Sequence, residues 1–148
     1  ILNLRYTETV REDEGGTYGV RVGAGLSQYP TGEANLRINF DCDPDRYGHL
    51  KSIIYREIDK IVAEGPTAVD FDKTIKNMLK DREQSLEHNS FWLRSMYNYY
   101  WTGINTADSA NYEEILKAMT IADIQAYAKA LTTNADIVDV VFIPTVEE

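Results

Sequence analysis

The chain has two histidines and one cysteine, and none of them lies in a complete catalytic or metal-binding motif. Residues 84–88 read Gln-Ser-Leu-Glu-His, a zinc-binding pattern H-x-x-E-H with glutamine at the first histidine position. Catalytic zinc takes three protein ligands and a water, so this set is inadequate. His49 has no acid–histidine companion at the required spacing. We therefore expect no catalytic metal site on this chain.

Residues 41–45 carry aspartate at alternate positions, as the opening of a calcium loop does. A calcium loop also needs glycine at its sixth position and glutamate at its twelfth, where this chain has Arg46 and Ser52. Asp43 followed by proline is instead typical of a helix start, because aspartate accepts from the unpaired N–H groups of the first turn and proline has none to lose. We favour the helix cap over calcium.

Other catalytic frames are missing from the sequence. It contains neither a G-x-S-x-G nucleophile turn nor a phosphate-binding loop with its lysine. The single cysteine, Cys42, excludes an internal disulfide and any cysteine-rich zinc module. With 15 basic and 24 acidic side chains the formal charge is −9. That balance argues against nucleic acid as a partner, and no apolar run approaches the roughly 20 residues that span a bilayer.

The elements that must position any site alternate between helix and strand patterns. A roughly helical stretch, residues 1–14, meets the paired glycines Gly15 and Gly16, which predict a helix stop. From Tyr18 apolar residues recur at every second position, and a second alternating run ends at Cys42, so the two runs predict an antiparallel hairpin with Cys42 on its apolar side.

Helical spacing returns after Asp43 and continues through four segments. Thr67 and Thr120 begin two of these helices as capping boxes. The helix from Thr67 is predicted to continue to Trp101, and a break or kink near Asn89 and Ser90 is the alternative. The β-branched run at residues 137–143, ending at Pro144, predicts a final strand. This order indicates an α+β fold in which helices pack on one face of a mainly antiparallel sheet.

Residues 11–20, Arg-Glu-Asp-Glu-Gly-Gly-Thr-Tyr-Gly-Val, are the most informative segment. Here the chain resembles the C-terminal homologous domain of the pitrilysin/insulinase family of zinc metallopeptidases, the inverzincins. Further matching stretches follow in the family's order at residues 40–44, 64–67, 80–83 and 89–93, with a terminal strand ending in proline. Each motif alone has little specificity. Together they occur in the family's order and spacing, and the resemblance extends over nearly the whole chain.

The resemblance implies a LuxS/metallopeptidase-like half-domain of a clamshell peptidase. Family members close paired α/β domains around a chamber, and one domain of each pair carries H-x-x-E-H and a downstream glutamate that bind zinc. The other lacks metal but supplies an arginine and a tyrosine seven residues apart, which match Arg11 and Tyr18. The resemblance further implies that residues 1–148 are a single domain whose first strand or strands precede residue 1, and that this chain alone is inactive.

The expected role of this pair is substrate binding and transition-state stabilisation. The fixed guanidinium fork of Arg11 suits a peptide carbonyl or carboxylate, and the O–H of Tyr18 can donate to a carbonyl oxygen as negative charge develops on it. The alternative is structural: Arg11 would complement a helix C-terminus, and Tyr18 would be the first inward residue of its strand.

Six aromatic residues within residues 91–101 exceed what one helix face can bury, so some should meet a neighbouring domain. The excess of acidic side chains either forms an ordinary solvated surface or lines the chamber, where it would favour basic peptides.

The function that follows from the resemblance is the substrate-binding part of a zinc-dependent metalloendopeptidase. Its partners would be a peptide substrate and a catalytic zinc domain, in cis or in trans. Two alternatives stay open: a non-catalytic assembly subunit of the same family, and an autonomous interaction module. Retention of the arginine–tyrosine pair favours the peptidase, since pseudo-enzyme members tend to lose it.

Overall fold

The computed structural model describes residues 1–15 and 17–143 of the 148-residue chain. The N-terminal helix has two parts, α1 (Leu2–Tyr6) and a π-helical continuation (Thr7–Glu12). A hairpin follows, and the remainder of the described chain is mostly helical. In order these elements are β1 (Val20–Ser27), β2 (Glu33–Phe40), a 3-10 turn (Pro44–Arg46), α2 (Tyr47–Glu64), α3 (Ala68–Leu86), α4 (Asn89–Thr102), α5 (Ser109–Ala118) and α6 (Ile121–Thr132).

The predicted hairpin is confirmed, since β1 pairs antiparallel with β2 over eight residue pairs. Val20 lies opposite Phe40 and Val22 opposite Ile38, so four apolar side chains point to one face. β1 begins two residues later than the alternation suggested, which leaves Tyr18 outside the strand.

The core lies between this apolar face and the first two helices. Tyr6 and Val10 come from the N-terminal helix, and Leu50, Ile53 and Ile54 come from α2; all are buried. The inward side chains of β1 and β2 pack against this cluster, as does Cys42, where burial raises the thiol pKa. Helices on one face of an antiparallel sheet confirm the α+β fold class.

The N-terminal helix switches to π-helical bonding, which the sequence pattern did not indicate. Its i→i−5 bond joins the N–H of Asp13 to the carbonyl of Glu8 at 2.9 Å. The hydroxyls of Thr7 and Thr9 donate to the carbonyls of Asn3 and Arg5, each at 2.8 Å. Such side-chain donors compete for carbonyls in the helix and loosen its regular ladder.

The predicted helix caps are present. The Asp43 carboxylate accepts from the N–H of Asp45 at 3.1 Å, and Pro44 occupies the first position of the turn, so the cap interpretation of this aspartate run is confirmed. Thr67 caps α3 through the N–H of Asp70, and Thr120 forms a complete capping box with Asp123.

The single long helix predicted to reach Trp101 is wrong, because α3 ends at Leu86 and α4 begins at Asn89, as the alternative of a break near Asn89 required. The packing of α4 is inverted relative to an ordinary surface helix. Its most buried residue is Ser95, and Phe91 is the one aromatic residue of the helix that is half-buried. The exposed side carries most of its large apolar residues, namely Trp92, Leu93, Met96, Tyr97, Tyr99, Tyr100 and Trp101. We call this set the aromatic face.

The strand predicted at residues 137–143 is wrong, because these residues form no strand in the structure. A β-strand needs a hydrogen-bonding neighbour, and β1 and β2 pair only with each other in the described part of the chain. Asp139 ties the segment to α2 instead, and Pro144, its expected end, lies outside the described residues. Among the described residues, no helix is long and apolar enough to cross a membrane.

Candidate functional site

Arg11 lies in the last turn of the π-helical segment, where its side chain is exposed. A cation at this position complements the partial negative charge of a helix C-terminus, as the structural alternative required. Its main-chain carbonyl accepts from the N–H of Gly15 at 3.2 Å. No ion pair of Arg11 occurs within the described ranges, so its guanidinium is available to an external group.

Tyr18 is 96% exposed and lies in a bend just before β1. The alternative role for this residue, an inward-facing strand side chain, is therefore wrong. The bend is fixed locally, because the Thr17 hydroxyl accepts from the N–H of Gly19 and donates to the carbonyl of the same residue, each at 3.1 Å. The side chain of Tyr18 therefore projects from a hydrogen-bonded bend and is exposed.

The turn between these two residues departs from the helix at Gly15. Its φ of +60° is left-handed, a conformation that side-chain-bearing residues rarely adopt, so the expected glycine stop is confirmed at this position. Both Arg11 and Tyr18 lie at the surface, at either end of the turn. Across residues 1–15 and 17–143, no hydrogen bond joins their side chains.

Glu14 fastens this turn to the start of α2. Its carboxylate accepts from Nε2 of His49 at 2.9 Å and from Nη2 of Arg46 at 3.2 Å, and Arg46 also donates to its main-chain carbonyl at 3.0 Å. The residues that follow Arg11 at the end of its helix are therefore attached to the start of α2.

Behind the turn, a charged network joins α1 to α2. The buried carboxylate of Glu57 accepts from Nη2 of Arg5 at 2.8 Å and from Nζ of Lys60 at 2.9 Å. Burial raises the pKa of Glu57, but the hydrogen bonds from Lys60 and Arg5 outweigh it and lower the pKa below its usual value. Asp70 lies 3.9 Å from Arg5 and extends the network to α3.

The histidines do not form a metal centre. His88 immediately precedes α4, whereas His49 binds Glu14 on the other side of the fold. No group of three or more His, Cys, Asp or Glu side chains in the described part of the chain could hold a metal ion.

Sequence reasoning missed the residues that support the site. Glu14 and His49 are 35 residues apart, and Arg5 and Glu57 are 52 apart, so no local motif contains either pair. One signal was available for Glu57: it falls among the apolar positions of α2, next to Ile53, Ile54 and Ile61 on the helix surface. An acid on a buried face predicts a basic partner.

Three comparisons with known proteins bear on this chain. The family description "Peptidase M16 inactive domain" matches residues 2–78, just over half of the chain. A zinc protease PQQL-like protein of Arabidopsis thaliana is 25% identical over 113 residues, which are 73% of this chain and 12% of that protein. The chain therefore spans about an eighth of the length of this curated relative.

Solved structures show the same fold at lower identity. The periplasmic protease PqqL from Escherichia coli matches with a TM-score of 0.64 and 20% identity, over 86% of this chain and 14% of that one. A conserved protein from Enterococcus faecalis V583 has a TM-score of 0.69 at 17% identity, over 84% of this chain and 28% of its own. A protease from Helicobacter pylori has a TM-score of 0.67 at 15% identity, over 85% and 30%.

Proposed function

The chain belongs to the M16 peptidase family as its inactive C-terminal domain, and we propose that it is the substrate-binding part of a zinc-dependent metalloendopeptidase. The zinc ion would be held by another domain, in cis or in trans, and would supply the Lewis acid and activated water for peptide hydrolysis. The contribution of this chain would be to bind the peptide and stabilise charge on it.

The observation that carries this proposal is the exposure of Tyr18 on a hydrogen-bonded bend. A phenol on a strand approach would normally pack its ring into the core, yet this ring is 96% exposed. A neutral O–H donor can hydrogen-bond the oxygen of a peptide carbonyl, and the bond strengthens as that oxygen becomes negative. Exposure at this position leaves the donor accessible to a peptide.

Arg11 supports the same role. Its exposed guanidinium has no carboxylate partner in the described residues, so its planar fork can accept a peptide carbonyl or carboxylate without first breaking an ion pair. Glu14, fixed by Arg46 and His49, would keep the two side chains in a constant relation to α2.

The test is peptide turnover by the assembly of this chain with its zinc domain, in one polypeptide or in two, after Tyr18→Phe. We expect a fall in kcat on the order of 100-fold, the usual cost of removing one donor to a developing oxyanion. Tyr127→Phe is the matched control, because Tyr127 is 49% exposed on α6, outside the aromatic face, and should leave turnover unchanged. Wild-type kcat in a folded Tyr18→Phe protein would contradict the proposal.

One observation favours a second candidate, a non-catalytic assembly role. The aromatic face of α4 is the kind of surface that docks onto another protein, and docking needs no catalytic partner. Chelator-sensitive peptide cleavage by the assembly with the zinc domain separates the two candidates, since an assembly subunit would cleave nothing with or without zinc.

A further inference from the structure

The hairpin has one face toward the helices and one face away from them. Val22 and its partner Ile38 pack against the core. Side chains alternate between the two faces along a strand, so the residue pairs that lie between the inward pairs point away from the helices. These pairs, which we call the outward face, are Arg21 with Asn39, Gly23 with Arg37, Gly25 with Asn35, and Ser27 with Glu33.

Two arginines on the outward face lack a carboxylate partner. Arg21 and Arg37 are exposed, and neither forms an ion pair within residues 1–15 and 17–143. Arg37 lies diagonally across the strands from Arg21, a relation in which side chains are about 7–8 Å apart at their bases. Like charges at such a separation repel each other, and an anion bound between them would offset that repulsion.

Glycine leaves the space between the two arginines open. Gly23 lies directly opposite Arg37 and two residues after Arg21. A Cβ atom added to Gly23 would meet no atom of the described chain within 4 Å, apart from its own neighbours in sequence. Glycine within a strand lets a ligand approach the main chain closely, because no side chain covers it. A group that lies over Gly23 can therefore reach both guanidinium groups.

The outward face differs in charge from the chain as a whole. The chain has 24 acidic and 15 basic side chains, whereas the outward face has two arginines and one acid, Glu33. Glu33 lies four residues from Arg37 on β2, which in a strand is a distance of about 13 Å. The amides of Asn35 and Asn39 add further hydrogen-bond donors. This face therefore favours an anion, in contrast to the cationic peptides that the net charge would attract.

The two arginines lie a short distance beyond Tyr18. Arg21 follows Tyr18 by three residues, and Gly23 follows it by five. At about 3.3 Å for each extended residue, these intervals span at most roughly 10 and 17 Å. A peptide in extended conformation covers the same distances with three to five residues of its own. An anionic group over Gly23 would thus lie that many residues from a carbonyl beside Tyr18.

We propose that Arg21 and Arg37 bind a carboxylate side chain of the peptide substrate, an aspartate or glutamate three to five residues from the bond that is cleaved. This role rests on the proposed function and gives it a substrate class, acidic peptides. The planar guanidinium groups hold the carboxylate over Gly23 through charge-assisted hydrogen bonds. Because neither arginine reaches the reacting carbonyl, the pair lowers KM and leaves kcat unchanged.

Peptide turnover by the assembly of this chain with its zinc domain provides the first test. The probes are peptides blocked at both ends, with one glutamate at a chosen distance from the cleaved bond, and the same peptides with glutamine in its place. We expect glutamate at three to five residues to lower KM about 10-fold relative to glutamine, as a charge-assisted hydrogen bond at an exposed site would give. Equal KM values for the two peptides would overturn the proposal.

Variants of the arginines locate the effect. Arg21→Gln and Arg37→Gln should each remove most of the preference for glutamate, and Lys73→Gln, which removes an exposed cation of α3, should retain it. A preference that survives both arginine variants would overturn the proposal. Lysine preferred over glutamate at the same positions would overturn it as well, in favour of selection by the net charge. So would a preference that needs a free C-terminal carboxylate, in favour of the peptide terminus.

A binding measurement separates this carboxylate site from the proposed function. The same peptides, with a fluorescent label, are titrated into the assembly after a chelator has removed zinc. If the assembly cleaves no peptide, a Kd about 10-fold lower for the glutamate peptide, lost in Arg37→Gln, would still support the site. Equal Kd values in an assembly whose kcat falls with Tyr18→Phe would overturn the carboxylate site and leave the peptidase role standing.

Discussion

Glu57 accepts hydrogen bonds from two nitrogens of Arg5, at 3.0 Å from Nε and 2.8 Å from Nη2, although its own side chain is almost fully buried. This fork joins α1 to α2 behind the turn that carries Arg11 and Tyr18. A buried carboxylate that is paired with cationic side chains is costly to disturb, because removing one partner leaves the other charge buried without compensation.

Glu57→Gln should therefore lower the free energy of unfolding by roughly 3 kcal/mol, the usual cost of breaking a buried pair. Glu113→Gln is the control, since its pair with Lys117, at 2.9 Å, lies on the exposed side of α5 and should contribute less than about 1 kcal/mol. Urea denaturation measures both variants. Equal losses in the two would mean that the Glu57 network does not stabilise the fold.

The stability of the chain should fall in acid. The folded-state pKa of Glu57 is lowered from 4.5, so below that value the unfolded chain binds more protons than the folded one. This contribution is present above the unfolded pKa and is lost as the pH falls through the folded pKa. Unfolding free energies between pH 7 and pH 3 should therefore converge for wild type and Glu57→Gln; a constant difference would contradict the assignment.

The loss of folding stability at alkaline pH should depend on Tyr6. Burial, and to a lesser extent the charge of Glu57, raises the pKa of Tyr6 well above 10.0, and its hydroxyl donates to the carbonyl of Ile54 at 3.1 Å. The stability it provides is complete below pH 10 and declines above it, because only the unfolded chain ionises this phenol there. Ultraviolet titration should show one tyrosine that ionises only on unfolding, and Tyr6→Phe should remove that late step.

Glu14→Ala should impair turnover more than stability. The substitution releases Glu14 from Arg46 and His49 and so displaces the site. We expect about a 10-fold fall in kcat/KM of the assembly with the zinc domain, and less than about 1 kcal/mol lost in the free energy of unfolding. Glu12→Ala, an exposed acid of the same helix, is the control. Unaltered kinetics in Glu14→Ala would show that the turn needs no anchor.

Arg82→Lys should destabilise the contacts among α3, α4 and α5. The guanidinium of Arg82 lies 4.5 Å from the Phe91 ring centre and 4.8 Å from that of Tyr112, while Nη2 donates to the carbonyl of Thr106 at 2.8 Å. Lysine cannot stack as a plane between two rings, so we expect a loss of about 1–2 kcal/mol by thermal unfolding. Arg94→Lys, exposed on α4, should change the stability by less than 0.5 kcal/mol in either direction, roughly the spread of surface substitutions.

The sequence was sufficient for features that depend on neighbouring residues. The caps at Asp43 and Thr120 and the stop at Gly15 follow from local hydrogen bonding and backbone preference, and all are present. The strand at residues 137–143 was wrong because local propensity cannot say whether a pairing partner is present.

The residues of the candidate site also divide into those that the sequence indicated and those that it did not. Arg11 and Tyr18 could be selected from their spacing in a motif, but the anchors Glu14, His49 and Arg46 could not, because the contacts among them join residues more than 30 positions apart. The exposure of Tyr18 also lay beyond the pattern, since alternation alone placed it on the inward side of its strand.

The inverted packing of α4 gives the molecule an optical reporter. The chain has two tryptophans, Trp92 and Trp101, and both lie on the aromatic face, 45% and 61% exposed. Tryptophan fluorescence therefore registers the surroundings of this one surface. A partner that covered the aromatic face would shift that emission to shorter wavelengths, so docking on α4 can be followed in solution without any attached label.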